Sequence, residues 1–329
     1  MRPRVPPDPL TLTLTLAMAA TLACGGRDVG SITDPATPWP RSILDLGAVE
    51  DGVWTPDAEV VVPYEVGYPL WSGGGGKSRF LALPAGEQID DRGETWRFPP
   101  GAVAFKTFLE CDRPLETRAL RREDGGAWGY AAYLWDAEAV DAQLLPLEAP
   151  VAIELDGGGA HTVPARSQCR ECHATADSAM LGVGELQLAA AREGDESELE
   201  RFDSLGLLAR GARRHPAAIE APDPDTAAVL GWFVGNCVHC HNGSGRDGAS
   251  FDLSPGVALA NTVGQPTESS ASAAGIRIVP GSPDQSILYL AVSGEHSDPE
   301  IRDMPPVGVD RRDEDGIARL RELIEERAP

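Results

Sequence analysis

The sequence contains the pentapeptide Cys-x-x-Cys-His twice, and this repeat constrains the chain more than any other feature. The first copy runs from Cys169 to His173 and the second from Cys237 to His241. Two cysteines three positions apart can each bond one vinyl group of a haem. The histidine that follows is then placed to reach the iron from the proximal side. Each copy therefore predicts a covalently attached c-type haem.

Each residue of the two pentapeptides has a predicted role in this interpretation. The cysteines would hold the porphyrins and the histidines would bind the two irons, so the cofactors would be two haem c groups. The predicted cofactor-binding cysteines are Cys169, Cys172, Cys237 and Cys240, and the predicted iron ligands are His173 and His241.

Two other chemistries use the same cysteine spacing. Two Cys-x-x-Cys pairs can complete one zinc site of four thiolates, but zinc would not explain a histidine directly after each pair. A redox disulfide would need a thioredoxin-like βαβ context, which neither pair has. The chain has six cysteines, of which Cys24 lies in the N-terminal segment and Cys111 stands alone, so no disulfide framework is predicted.

The N-terminus has the pattern of an export signal. Arg2 and Arg4 precede an apolar run over residues 10–23, which is too short to span a bilayer. The run ends in Ala23-Cys24-Gly25, similar to the lipobox of bacterial lipoproteins, so Cys24 is a predicted lipidation site. Residues 17–19, Ala-Met-Ala, offer an ordinary signal-peptidase site instead. We therefore expect a periplasmic or otherwise extracytoplasmic protein, lipid-anchored to a bacterial membrane through Cys24.

The net charge restricts the partners of the chain. With 51 acidic and 28 basic residues, the formal charge is -23. Such a surface repels nucleic acid and anionic lipid and attracts basic proteins over long distances. We expect redox partner proteins with a basic docking face, no nucleic-acid partner, and membrane contact only through the N-terminal anchor.

Residues 43–163 have the pattern of a β-rich region. Segments rich in β-branched and aromatic residues alternate with Gly, Pro and Asp turns. Val103, Phe105, Thr107 and Leu109 alternate with Ala104, Lys106, Phe108 and Glu110, as in a sheet with one face more buried. Many short strands with frequent turns predict an antiparallel sandwich or barrel.

The C-terminal part has a helical pattern. An apolar helix is predicted over residues 226–234, leading directly into Cys237, and an amphipathic helix is predicted after Met304. Helix, haem motif, long loop, methionine and closing helix occur in the order of a small class I cytochrome c. Met304, followed by two prolines, is therefore the predicted second axial ligand of the second iron.

The first iron has several candidate partners. Met180, His161 and His215 remain open as its sixth ligand. Met180 lies so close to His173 in sequence that little chain is left to pass around a haem edge. An iron with an open coordination position is also compatible with the sequence.

The fold class expected from these patterns is α+β, with an antiparallel β-rich, sandwich- or barrel-like domain followed by mostly helical cytochrome c-type haem modules. The predicted divisions are, in order, a signal peptide (residues 1–24), a flexible tether (25–40), the β-rich domain (41–165), the first haem segment with a linker (166–224), and a cytochrome c-like domain with the second haem (225–329).

Further motifs extend over nearly all of the mature chain. They are Val62-Pro63-Tyr64, Tyr68-Pro69-Leu70-Trp71-Ser72, Lys77-Ser78-Arg79-Phe80, Phe98-Pro99-Pro100-Gly101, Lys106-Thr107-Phe108, Glu116-Thr117-Arg118, Tyr133-Leu134-Trp135, Val163-Pro164 with Gln168-Cys169, and the second haem region through Met304-Pro305. With these motifs the chain resembles a family of exported, often lipid-anchored bacterial diheme c-type cytochromes. The C-terminal part alone is similar to class I cytochrome c modules.

The resemblance implies haem binding and electron transfer, but it supplies no substrate. We therefore expect an electron carrier or redox subunit with two covalent haems. An alternative is a diheme peroxidase or oxidoreductase that uses an open first haem and holds its substrate in the β-rich domain. A third hypothesis gives that domain a non-redox role in binding a partner protein or glycan.

Overall fold

The fold was obtained as a computed structural model. The structure describes residues 31–155, 158–174, 178–194, 196–210, 217–244, 251–267, 274–306 and 311–327. The predictions for the signal peptide, for Cys24 and for His215 lie outside the described residues.

The N-terminal half is built from antiparallel strands. In chain order they are β1 (Gly47–Glu50), β2 (Val53–Pro56), β3 (Val60–Pro63), β4 (Lys77–Leu83), β5 (Val103–Glu110), β6 (Arg113–Arg122), β7 (Trp128–Trp135), β8 (Ala142–Leu144), β9 (Val151–Glu154) and β10 (Ala160–Val163). Strands β3 to β8 follow one another in a six-stranded antiparallel sheet with β3 and β8 at its edges, while β1–β2 and β9–β10 form separate two-stranded sheets.

Helices dominate after residue 165. They are α1 (Arg166–His173), α2 (Glu185–Ala190), α3 (Glu198–Ser204), α4 (Pro224–Asn236), α5 (Ala258–Thr262), α6 (Ile287–Ser293) and α7 (Glu314–Glu322), with a short strand pair β11 (Arg192–Glu193) and β12 (Glu196–Ser197) between α2 and α3. Short 3-10 segments lie at Ile43–Asp45, Asp124–Gly126 and Pro283–Gln285, and a π-helical turn extends α7 over Leu323–Arg327. The coarse prediction of a β-rich N-terminal region followed by helices is confirmed.

Both faces of the six-stranded sheet are covered, because side chains on successive positions point to opposite faces. On one face, Val103 and Phe105 of β5 pack with Trp54 of the β1–β2 hairpin and with Ile32 and Ile43. The described part of the predicted tether, residues 31–40, therefore lies against the sheet. The predicted alternation along β5 is confirmed as far as Thr107, after which a bulge shifts the register.

The other face of the sheet carries the helices that follow the strands. Leu81, Leu120 and Tyr130 pack there in one hydrophobic core with Met180 and Phe202. Helix α1, which contains the first pentapeptide, lies against this face, since Cys169 contacts the same core. We call this face the helix-covered face.

The C-terminal helices enclose a separate core. Helix α4 begins at Pro224, directly after Asp223, whose carboxylate accepts a hydrogen bond from the N–H of Thr226 at 2.9 Å. The buried positions of α4 pack with α6 and with the apolar stripe of α7. The predicted helix over residues 226–234 and the predicted closing helix are therefore confirmed. Within the described residues, none of these helices has both the length and the apolar composition needed to cross a bilayer.

Helix α4 is joined closely to the β-rich region by a segment of irregular chain between β3 and β4. A Cβ atom at Gly231 would lie 2.5 Å from the ring of Tyr68, and one at Gly235 would lie 2.8 Å from the carbonyl oxygen of Pro69. The N–H of Trp71 donates to Oδ1 of Asn236 at 2.7 Å. This contact fixes the last residue before Cys237 relative to the sheet.

Candidate functional site

The first pentapeptide lies entirely within α1. The helix begins after Ala165, whose N–H donates to Oε1 of Gln168 at 2.9 Å, so one of the free N–H groups at the helix start is satisfied. Cys169 is partly buried against the core of the helix-covered face, and burial raises the pKa of its thiol. At the other end of the helix, the ring of His173 lies 6.0 Å from that of Tyr130.

His173 is held in the form that can bind a metal. Its Nδ1 atom lies 2.6 Å from the carbonyl oxygen of Ala179, and because a carbonyl only accepts, Nδ1 carries the proton. Burial lowers the pKa of His173 to about 4, which keeps the ring neutral at pH 7. The lone pair is then on Nε2, and a backbone carbonyl that holds the opposite nitrogen is the usual support of a metal-binding histidine.

The second pentapeptide follows directly on α4. Cys237 is the C-cap residue of that helix, and burial raises the pKa of its thiol to about 12. The centre of the His241 ring lies 4.5 Å from the centre of the Phe251 ring, and burial lowers the pKa of His241. Among the described residues, the buried Nδ1 atom of His241 has no hydrogen-bond partner. A buried polar atom of this kind is costly unless a ligand or an ordered group satisfies the ring.

The two pentapeptides meet in space. The Sγ atoms of Cys172 and Cys240 and a ring nitrogen of His239 all lie within 4.8 Å of one another. The Sγ atom of Cys240 is also 4.0 Å from the carbonyl oxygen of Glu171. A hydrogen bond with Cys240, together with burial, raises the pKa of the Cys172 thiol.

This contact differs from the four-thiolate zinc site that the sequence allowed. Within the described residues, the group of potential metal ligands has two thiolates and one imidazole, and it does not include Cys169 or Cys237. His239 was not among the predicted site residues. Its only signal in the sequence is its place between the two cysteines of the second motif.

A buried carboxylate, that of Glu116, lies on the helix-covered face of the sheet. Glu116 is fully buried, and its two oxygens contact Nε of Arg118 and Nε2 of His161, each at 2.6 Å. Burial opposes ionisation of Glu116, but Arg118 and His161 together outweigh it and lower its pKa. His161, one of the candidate ligands of the first iron, is therefore bound to Glu116 through Nε2.

Two cations of the same face lie next to the first motif. The Arg118 guanidinium lies 4.3 Å from the centre of the Phe108 ring, and Nζ of Lys106 lies 4.7 Å from it. The charge of Arg118 acts on both cysteines of the motif, and the charge of Lys106 acts on His173. The sequence did not single out these residues as a site, because they come from different strands.

The two methionines have different surroundings. Met180 is only 2% exposed and fills the core between the sheet and α2 and α3. Met304 lies in the loop between α6 and α7, where its N–H donates to the carbonyl of Ala291 at 2.9 Å. Its side chain packs against the C-terminal core, which Cys237 and Val238 also contact. Met304 is thus on the same core as the second motif, and its ligation stays a prediction.

Comparisons with known proteins identify no relative. The chain matches no family model, and neither curated proteins nor solved structures give a significant match. The resemblance to exported diheme cytochromes stays a prediction drawn from the sequence motifs.

Proposed function

We propose that the protein is an exported c-type cytochrome that binds two covalent haems and transfers electrons between partner proteins. The observation that carries the proposal is the pair of complete Cys-x-x-Cys-His motifs. The half-buried histidine at the end of each motif supports it, because partial burial lowers the pKa of both rings and so favours the neutral form that can bind iron.

The residues of the chain fit covalent haem. Cys169 and Cys172 would hold the first porphyrin and Cys237 and Cys240 the second, with His173 and His241 as iron ligands. When bound, each haem supplies a one-electron couple. The carbonyl of Ala179 fixes the ring of His173 in one tautomer, so the chain sets the orientation of that ligand before any metal is present. In the same proposal, Met304 is the second ligand of the second iron.

The contact between the two motifs favours electron transfer as the use of these groups. Cys172 and Cys240 belong to different motifs, yet their sulfur atoms lie within 4.8 Å of each other. Groups bonded to these two sulfur atoms would therefore be neighbours. An electron carrier benefits from such proximity, whereas a single-site enzyme does not need it.

Location and partners follow from the same proposal. The N-terminal signal and Cys24 would place the protein outside the cytoplasm, lipid-anchored to the membrane. The charge of -23 would steer redox partners that carry a basic docking face.

A second candidate function is favoured by one observation. Cys172, His239 and Cys240 have the chemistry and proximity of a metal-ion site, and a fourth ligand would complete the tetrahedral set that zinc prefers. A zinc ion bound there would use one cysteine of each motif, so it is incompatible with covalent haem at both motifs.

One experiment separates the two candidates. The chain is produced with a haem-maturation system, haem is counted by the pyridine haemochrome assay, and zinc is measured on the same sample. We expect two haems per chain and no stoichiometric zinc. His239→Ala is the matched variant, because it should keep both haems under the cytochrome proposal and lose the metal under the alternative. Stoichiometric zinc without covalent haem would overturn the cytochrome proposal.

A further inference from the structure

Three cations stand in one row across the helix-covered face of the sheet. Arg79 of β4 is paired with Lys106 of β5, and Lys106 is paired in turn with Arg118 of β6. Like charges directly opposite each other destabilise a sheet. The row is also unexpected in a chain whose net charge is -23. Such an arrangement requires anions that compensate for it.

Two of the three cations have a carboxylate partner. Arg79 contacts Glu65 at 3.1 Å, and Arg118 contacts Glu116 at 2.6 Å. Lys106, in the middle of the row, has none: within the described part of the chain its ammonium group makes no ion pair and no hydrogen bond. The group lies 4.7 Å from the centre of the Phe108 ring. Burial and the neighbouring cations lower the pKa of Lys106 well below its usual value, and an anion in contact with the ammonium group would oppose this shift.

The row is located at the first motif. The ring of Tyr130, on the same face of the sheet, lies 6.0 Å from that of His173. Arg118 lies among the charges that act on Cys169 and Cys172. Lys106 and Arg118 are paired across neighbouring strands and lie 4.7 Å and 4.3 Å from the centre of the same Phe108 ring, so the two cations are close enough to share one anion.

We infer that Lys106, together with Arg118, binds a carboxylate or another oxyanion beside the first haem motif. An ammonium group and a guanidinium group on neighbouring strands provide charge-assisted hydrogen bonds to such a group. The anion has two potential sources. One is a propionate of the first haem, which rests on the proposed function, and the other is a free oxyanion.

The test compares Lys106→Met with Arg122→Met in the haem-loaded protein. The control is matched, because Arg122 is also a cation of the sheet and lies 5.3 Å from the centre of an aromatic ring, that of Trp128. Arg122 is at the end of β6, four positions beyond Arg118. Resonance Raman spectra report the propionate bending bands. Thermal unfolding with increasing inorganic phosphate at constant ionic strength reports a free oxyanion.

A shift of the propionate bands in Lys106→Met but not in Arg122→Met would identify the haem as the source. A saturable rise of the unfolding temperature with phosphate would identify a free oxyanion. Lys106→Met should then bind phosphate at least about ten-fold more weakly than the wild type. The inference is overturned if the bands of Lys106→Met match those of the control and phosphate stabilises neither protein.

Failure of the proposed function would be visible separately. The pyridine haemochrome assay would then find no covalent haem, and the propionate source would be eliminated. The phosphate titration can still be carried out on that chain. A null result there would overturn the anion site itself.

Discussion

The two pentapeptides have the same pattern but lie in different surroundings. The first forms the end of α1 on the helix-covered face, next to Lys106, Arg118 and the buried carboxylate of Glu116. The second follows the last turn of α4, where Cys237 and Val238 contact the apolar C-terminal core and Arg277 lies 4.5 Å from the centre of the Phe251 ring, which packs against His241. The first motif therefore lies beside a buried ionic group, and the second begins on an apolar core with one cation near its histidine.

This difference shows that the motif alone does not determine the properties of its site. His173 is oriented by a backbone carbonyl, whereas Nδ1 of His241 is buried with no partner among the described residues. Each motif has a methionine on the core that it contacts, but Met180 fills the interior of its core, whereas Met304 packs against its core from the loop between α6 and α7. Since ligands and nearby charges set the potential of an iron centre, we expect two distinct potentials.

The largest expected effect comes from removing one motif at a time. If each motif holds a covalent haem as proposed, Cys169→Ala with Cys172→Ala should reduce the haem content from two per chain to one, because both attachment sites of the first haem are removed. Cys237→Ala with Cys240→Ala should do the same at the second motif. The pyridine haemochrome assay measures both. If either double variant lost both haems, the two motifs would not be independent sites and the comparison would fail.

Met304 provides the sharpest test of the second site. If its sulfur binds the second iron, the oxidised protein should show the weak near-infrared band of His/Met ligation. Met304→Ala should abolish that band and lower the potential of that haem, because thioether ligation favours ferrous iron. Covalent attachment should survive, since Cys237 and Cys240 are unchanged.

Met180→Leu is the control for this variant. It keeps the volume of a buried side chain and should cost less than about 1.5 kcal/mol of stability. The band should remain in this control. Persistence of the band in Met304→Ala would instead show that the loop between α6 and α7 does not supply the ligand.

Glu116→Gln should lower the free energy of unfolding, because it disrupts the buried ionic group on the helix-covered face. The carboxylate is fully buried between Arg118 and His161, and removing one member of a buried ionic group leaves the other charge uncompensated. Such changes cost about 3 to 5 kcal/mol, and we expect the lower end because Arg118 is 29% exposed. Urea unfolding at pH 7 measures the loss.

The same variant has a predictable pH dependence. Because the pKa of Glu116 is lower in the folded chain than in the unfolded one, its contribution is fully present above the unfolded value of about 4.3. It is lost as the pH falls through the folded-state pKa. The difference in unfolding free energy between wild type and Glu116→Gln should therefore shrink on acidification. A difference that stayed constant would show that the charge of Glu116 is not what stabilises the first region.

The smallest effect is expected in the C-terminal region. Arg321 contacts Glu325 at 3.1 Å on the surface of the last helix, where both side chains are more than 40% exposed. Exposed pairs contribute little, because water and salt screen them. Glu325→Gln should leave the unfolding midpoint unchanged within error. A clear loss would remove the contrast with the buried ionic group at Glu116.

The sequence was sufficient for features that depend on neighbouring residues. The apolar helix before Cys237, the stripe of α7 and the alternation along β5 each follow from local periodicity. The row formed by Arg79, Lys106 and Arg118 could not be predicted in this way, because it depends on the register of three strands.

For the same reason, local sequence patterns could not predict that the two motifs contact each other. Cys172 and His239 are separated in sequence by the helices α2, α3 and α4 and a linker, and no short-range signal brings them together. Glu116 was not predicted as a site residue, because charged residues at strand positions usually face solvent; it lies on β6, an interior strand, and His161 of β10 contacts it at 2.6 Å.

The close fit between α4 and the chain before β4 limits how the molecule can be divided or recombined. At Gly231 and Gly235 the helix has no side chain because Tyr68 and Pro69 occupy that space. A helix from another protein with alanine or larger residues at these two positions could not take the place of α4 without displacing Tyr68 and Pro69. The C-terminal region therefore cannot be exchanged on its own. A chimera would have to change the surface of α4 and the chain between β3 and β4 together.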